Sequence, residues 1–414
     1  MMESSLIPDR TKSQPGMTEF VVGMALMISL VALSIDSMLP ALPAIGAELR
    51  AKNANDAQLV VSMLFLGLAG SMLVFGPLSD CFGRKPVIYA GFAVFIAGCL
   101  LSIFATSFSM MLIGRFLQGI GAAGPRTVSI ALVRDRFDGR SMARIMSLIM
   151  GVFILVPVFA PAIGQGIMLM AHWRGIFVVL LSLALVSLVW FWLRQPETLP
   201  PAKRSRLSLR RIVLAIRETC TNRIAVGYTL TAGLVFGGFI GYLISAQQIF
   251  QDQYGAGELF PFYFGLVALA IGAASFSNAR LVMRFGMRRL TRWSLIAMTA
   301  ISMVFLGVVA LAAGHPPFWS LMAYFLSAFF FIGFVFGNFN ALAMEPLGHI
   351  AGSASAVIGS LTLFISLLLG TAIGQAYDGT VAPLVGGFAL FGVASTVVML
   401  LIERSRSRHE GEGG

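Results

Sequence analysis

The chain carries Gly76-Pro77-Leu78-Ser79-Asp80-Cys81-Phe82-Gly83-Arg84-Lys85-Pro86, a short charged turn between two long apolar runs, 57–79 and 87–107. Each run is about 20 residues long, and a helix rising ~1.5 Å per residue then crosses a ~30 Å hydrocarbon layer. A polar turn between two such runs reads as a surface link joining two membrane-spanning helices.

Composition points the same way. Of 414 residues, 57% are hydrophobic and 11% are charged, where a soluble domain carries about 25% charged residues. Cys81, Cys99 and Cys220 show no C-x-x-C or metal spacing, and the four histidines are scattered. Neither a disulfide framework nor a metal site is expected. No H-E-x-x-H or G-K-[ST] sequence offers a metalloprotease or nucleotide site. Residues 1–16 are polar and the first apolar run is too long for a signal peptide, so no cleavable signal is expected.

Extending the reading along the chain predicts an all-α polytopic membrane protein with twelve transmembrane helices. The spans are 18–42, 57–79, 87–107, 109–133, 143–170, 174–193, 223–250, 258–283, 290–314, 317–343, 351–378 and 381–402. The division is a cytoplasmic N-terminus over 1–17, a six-helix half over 18–193 and a linker over 194–222. A second six-helix half over 223–402 and a tail over 403–414, read as disordered, complete it. In the linker, Ser208 is a helix N-cap, and Leu209, Ile212, Val213 and Ile216 make one apolar stripe, with Arg210, Arg211 and Arg217 off it. This helix is expected on the membrane surface, against anionic headgroups.

Most of the 29 Lys and Arg fall in the N-terminus, the tail and the even-numbered loops; only Arg50, Lys52 and Arg174 fall opposite. The positive-inside rule then puts both termini in the cytoplasm. The net charge of +11 reflects topology, and nucleic acid is not an expected partner.

The second half echoes the first. Gly272, Asn278, Arg280, Arg284, Gly286, Arg288 and Arg289 read as a degraded copy of the 76–86 turn, at an offset of 196 residues (272 − 76). Parallel six-helix repeats place a substrate cavity at their interface.

Gly76, Leu78, Asp80, Gly83, Arg84 and Lys85 match G-x-L-x-D-x-x-G-R-K, and this turn resembles the signature loop of the major facilitator superfamily. Arg115, Gln118, Gly119 and Gly121 resemble its R-x-x-Q-G-x-G motif. The stretch Ala160-Pro161-Ala162-Ile163-Gly164-Gln165 is similar to the export-associated G-P-x-x-G-G motif. With Trp173-Arg174-Gly175-Ile176-Phe177, Pro196-Glu197-Thr198-Leu199 and the Ser34–Pro43 stretch, the chain resembles the Bcr/CflA drug:proton antiporters over 18–402. The resemblance implies proton-coupled efflux of small amphipathic drugs or toxic metabolites across a bacterial inner membrane, by alternating access. The alternatives are a nutrient or metabolite carrier of the same fold and, from another class, a channel or membrane enzyme. No cofactor is expected beyond the proton gradient. The expected partners are a small-molecule substrate, protons and the lipid bilayer, and the expected working unit is a monomer.

A charge at bilayer depth is costly, so it is retained for a pathway or a partner. Asp36 lies six residues, or ~9 Å, before the expected outer end of the first helix. Arg115 lies at similar depth on the fourth helix, and a carboxylate moving between dry and wet surroundings changes its proton affinity. Arg115, Gln118 and Arg126 share one helical face, expected to line the cavity with Asp36. Arg126 stands one turn before Ile130, a place where the resembled group often has Arg. Gln165, Gln247, Asn278 and Asn338 are cavity candidates, with helix-to-helix hydrogen bonding as their alternative role. Gly76, Asp80, Gly83 and Arg84 are expected to gate, Gly76 by close helix approach and Asp80 by pairing with the other half. Pro157, Pro161 and Gly164 are expected to let the fifth helix bend against the eighth.

Overall fold

A computed structural model describes residues 15–205 and 208–411. Among them every regular element is helical. Twelve long helices form the body. The first six are α1 Met17–Asp36, α2 Leu59–Phe82, α3 Arg84–Ile103, α4 Phe108–Arg136, α5 Gly139–Met170 and α6 Arg174–Arg194. The second six are α7 Arg223–Gln247, α8 Phe260–Phe285, α9 Met287–Leu311, α10 Phe318–Met344, α11 Ala351–Gln375 and α12 Ala382–Gly411. A linker helix, Leu209–Thr221, separates the halves. Ten stretches are long and apolar enough to span a membrane, one of them (Phe318–Gln375) holding both α10 and α11. α4 falls outside that set, being made less apolar by Arg115, Gln118, Arg126 and its glycines.

The packing is two-fold. α3 lies on α4 and α6, α2 on α4, and α1 on α4, α5 and α6; adding six to each number gives the contacts of the second half. The halves meet along α2–α11 and α5–α8, two interfaces that this same operation exchanges. Large apolar side chains such as Leu169, Val304 and Leu390 remain exposed on the outer faces, as lipid-facing positions do.

Three elements differ from expectation. The first span does not run unbroken to 42. Regular helix stops at Asp36, and the backbone tightens through a 3₁₀ turn, Leu39–Ala41, into a short helix, Leu42–Glu48. Pro40 and Pro43 have no N–H to give to the carbonyls four residues back. The C-terminal tail also differs, since α12 continues to Gly411, with Arg292 of α9 donating to Glu403 at 3.1 Å. The linker helix forms, yet its covered face is Ala215 and Thr219, while Val213 points outward. The side chains of Leu209 and Arg211, and residues 1–14, lie outside the described residues.

Candidate functional site

Between the halves lies a cavity of about 1170 Å³. It reaches from Asp36 and Tyr242 at its inner end to Asp80, Arg134 and Ser205 at its mouth. The mouth is therefore on the face of the 76–86 turn and the linker. Much of the wall is aromatic. Phe236 and Phe336 meet edge to face with centroids 4.6 Å apart, and Phe239 lies 6.0 Å from Phe329. Met72 and Met150 add flexible apolar surface.

Asp36 is the last residue of α1, not one mid-helix. Its side chain is 4% exposed, faces the cavity, and takes no hydrogen bond or ion pair among the described residues. Tyr242 of α7 lines the same end of the cavity, and its buried hydroxyl makes no hydrogen bond among the described residues.

Arg115 does not join it. The guanidinium is fully buried away from the cavity. Its Nη2 donates to the Ser34 carbonyl at 2.7 Å, its Nε to the Val60 carbonyl at 3.0 Å and its Nη1 to Gln118 Oε1 at 2.6 Å. The Phe177 ring lies 5.8 Å away. The break in α1 explains the first bond. Met38 N–H donates to Ile35 rather than to Ser34, which releases the Ser34 carbonyl to Arg115. Gln118 in turn donates to Cys99 Sγ at 3.3 Å. In this structure Arg115 and Gln118 tie α1, α2, α3 and α4 together, and the expectation that they line the cavity is corrected.

Arg126, eleven residues further along the same face, does line it. It is half-buried and makes no hydrogen bond or ion pair among the described residues. Periodicity gives a residue's angle around a helix, and the two ends of α4 meet different surroundings: packed helices at Arg115, open cavity at Arg126.

The amide candidates divide as well. Asn278 lines the cavity edge but is locked to Asn338, with reciprocal donation at 3.3 and 3.0 Å tying α8 to α10. Asn338 is buried behind it. Gln165 is half-buried outside the cavity. The preceding residue on α5, Gly164, packs so tightly on the Ser37 carbonyl that a Cβ would come within 1.9 Å. Gly164 therefore meets the turn that follows α1 rather than α8. Pro157 lines the cavity and Pro161 is buried, both inside an unbroken α5.

At the mouth, Gly76 faces open space, so the expected close helix approach is not there. Gly83 has φ +101°, the left-handed side that only glycine adopts without strain, and it ends α2 and begins α3. Arg84 bonds Asp135 through Nε at 2.8 Å and Ser79 at 2.9 Å, and also pairs with Asp80. Among the described residues Asp80 makes no hydrogen bond or ion pair with the second half.

The opposite end is shut by a cluster that hydropathy reading missed. Asn55 Nδ2 donates to the Tyr377 carbonyl at 2.9 Å, and Gln375 Nε2 to the Asn55 carbonyl at 2.9 Å. Gln248 Nε2 reaches Asn55 Oδ1 at 2.7 Å, and Gln58 Nε2 reaches Gln247 Oε1 at 3.3 Å. Gln247 belongs to this seal rather than to the cavity. Burial pushes the Tyr377 phenol up to about 12, so it stays a donor, here to the Gln248 carbonyl. The cluster is built of amides and a phenol, with Asp252 accepting from Gln247 at 3.3 Å at its edge; it draws on three separate chain segments and carries no local pattern. Only the density of Asn and Gln on one side signals it.

A cavity between two pseudo-symmetric halves, closed at one end and open at the other, is the geometry of alternating access. Residues 24–371 match the family model described as Major Facilitator Superfamily. An uncharacterized MFS-type transporter, YdgK of Bacillus subtilis, is 32% identical, over 90% of this chain and 94% of its own length. The bicyclomycin resistance protein homolog of Haemophilus influenzae is 29% identical over 92% and 94%. The multidrug resistance protein MdtL of Citrobacter koseri is 31% identical over 86% and 90%. In fold, the chain is similar to the Escherichia coli xylose transporter XylE in a partially occluded inward-open conformation. That match has a TM-score of 0.74 and 14% identity, covering 93% of this chain and 97% of the other. The chain belongs to the Major Facilitator Superfamily and is a multi-pass membrane transporter.

Proposed function

We propose that this transporter exports small amphipathic compounds, drugs or toxic metabolites, in exchange for protons across a bacterial inner membrane. The observation that carries this reading is Asp36: a carboxylate with no hydrogen bond or ion pair among the described residues, at the closed end of a cavity whose wall is mainly apolar and partly aromatic. Exchange needs one group that proton and substrate compete for, and the exposure of Asp36 to the cavity supports that role. The names of the bicyclomycin- and multidrug-resistance relatives favour export of drugs. The positive-inside rule assigns the face of the 76–86 turn to the cytoplasm, so the cavity mouth faces inward, ready to load. The cavity is enclosed within one chain, which supports a monomeric unit.

No cofactor enters the scheme. The proton gradient supplies the work. One charge crossing ~100 mV yields about 2.3 kcal/mol, and one pH unit adds about 1.4 kcal/mol. Together they sustain a gradient of roughly several hundred-fold in an electroneutral substrate. The test is Asp36→Asn in proteoliposomes. The variant should assemble in the membrane but lose substrate accumulation driven by a pH gradient. Normal gradient-driven accumulation by it would reject Asp36 as the exchange site.

A further inference from the structure

We propose that Arg126 selects the substrate, and that the cavity takes amphipathic zwitterions, with the amine end at Asp36 and a carboxylate or phenolate end at Arg126. This rests on the export reading above and sharpens its substrate class.

Asp36 and Arg126 line the same cavity, and no ion pair joins them or links either to another described residue. The other charged liners sit at the mouth. Asp80, Arg84 and Asp135 are bonded to one another, and Arg134 is exposed. Deep in the cavity the pattern is therefore one free negative group, one free positive group and aromatic wall between the halves.

Each ligand charge class satisfies this pattern differently. A monocation meets Asp36 and displaces its proton, yet leaves the guanidinium without a counter-charge once the halves close and water leaves. A monoanion satisfies Arg126 but cannot compete with the proton, so it offers no exchange. A zwitterion does both and brings no net charge into the occluded state. Its aromatic body fits beside Phe236, Phe336 and Phe239. The guanidinium fork suits a carboxylate, which it can bind through two parallel N–H donors.

The test uses three fluorescent probes sharing one naphthyl body. They are an amino acid with its amine and carboxylate at opposite ends, its methyl ester and its N-acetyl derivative. Binding is read by polarisation on protein in lipid nanodiscs. Wild type should bind the zwitterion about tenfold tighter than the ester, the scale of one charge-assisted contact. In Arg126→Gln the zwitterion-to-ester ratio should fall to near one. Arg126→Lys, which keeps the charge but not the fork, should retain part of the preference and serves as the folded control. Equal affinities in wild type, failure of all three probes to bind, or a preference that survives Arg126→Gln overturns the proposal. Proton release on ester binding, present in wild type and lost in Asp36→Asn, reports the export reading by itself. A flat ratio with intact proton release therefore rejects Arg126 alone.

Discussion

The two halves reverse direction through turns with one backbone and two chemistries. Gly83 joins α2 to α3 at φ +101° and ψ 164°, and Gly286 joins α8 to α9 at φ +77° and ψ 150°. In both, a glycine ends one helix and starts the next. Around Gly83 the charges interlock. Arg84 is held by Asp135, Ser79 and Asp80. The Glu197 carboxylate accepts from the Arg84 and Lys85 backbone N–H groups, each at 3.0 Å, an anion on a helix N-terminus. Lys85 Nζ donates to the Gln195 carbonyl at 2.6 Å. Around Gly286 no such lattice is built among the described residues. Arg280, Arg284 and Arg289 lie over Phe276, Phe285 and Trp293 at 5.3–5.8 Å, and Arg288 pairs at the surface with Glu345. The chain reversal demands a glycine. The charges serve something further: the first turn is fastened to the end of α4 and to the start of the linker by part-buried contacts, and the second reaches the end of α10 through the exposed Arg288–Glu345 pair.

The largest expected consequence is at Arg84. Its side chain is 8% exposed, and Asp135 is 19% exposed. Arg84→Ala leaves the part-buried Asp135 carboxylate with Thr198 as its hydrogen-bond donor but without its charge partner, which costs about 3 kcal/mol, the low end of the range for breaking a buried pair. Its melting temperature in detergent should fall by several degrees. Pairing it with Asp135→Asn should cost less than the sum of the two single changes, because both remove the same contact. A variant that melts like wild type would remove the distinction between the turns.

A smaller and different effect is expected at Asp80. Its side chain is 57% exposed and, among the described residues, pairs with Arg84 alone, so the open-mouth arrangement loses little without its charge. We expect its contribution in the opposite state, where the mouth closes and the second half approaches. Asp80→Asn should then favour the open mouth by about fivefold, or ~1 kcal/mol, and slow turnover. It should alter substrate affinity only through the populations. Spin labels on the loops after α2 and α10, in a background lacking Cys81, Cys99 and Cys220, would measure their separation. An unchanged distance distribution with full transport would leave Asp80 a folding role.

How much could be read in advance follows from what each signal encodes. Hydropathy encodes depth, so twelve helices, their pairing into halves and the central linker were legible. The turn at 76–86 was legible because it combines a glycine with charges at fixed spacing. The register of its copy was not. An offset of 196 aligned Gly272 with Gly76, but the turn glycines give 286 − 83 = 203. The difference is seven residues, about two helical turns, which keeps every residue on nearly the same face and hides the slip. Gly272 instead approaches Ile154 of α5. At the correct offset Met283 and Met287 stand where Asp80 and Arg84 stand. Contacts between distant segments were likewise invisible. Arg115 finds the Ser34 carbonyl only because α1 breaks after Asp36, and the Asn55 seal assembles groups from both halves.

The smallest effect should be at Arg288, the residue that matches Lys85 at the corrected offset. Its Nη2 reaches both Glu345 oxygens, at 2.8 and 3.0 Å, but the two side chains are 39% and 44% exposed. An exposed ion pair in water is worth about 0–1 kcal/mol and is screened by salt. The three neighbouring arginines lie over aromatic rings. Arg288→Ala should therefore leave the melting temperature within a degree or two of wild type, roughly the resolution that a change of this size permits. Raising the salt concentration should shrink even that difference, while the larger deficit of Arg84→Ala, shielded from solvent, should persist. If Arg288→Ala instead destabilised the protein as much as Arg84→Ala, the second turn would be fastened as firmly as the first. The gate would then have two equivalent anchors rather than one.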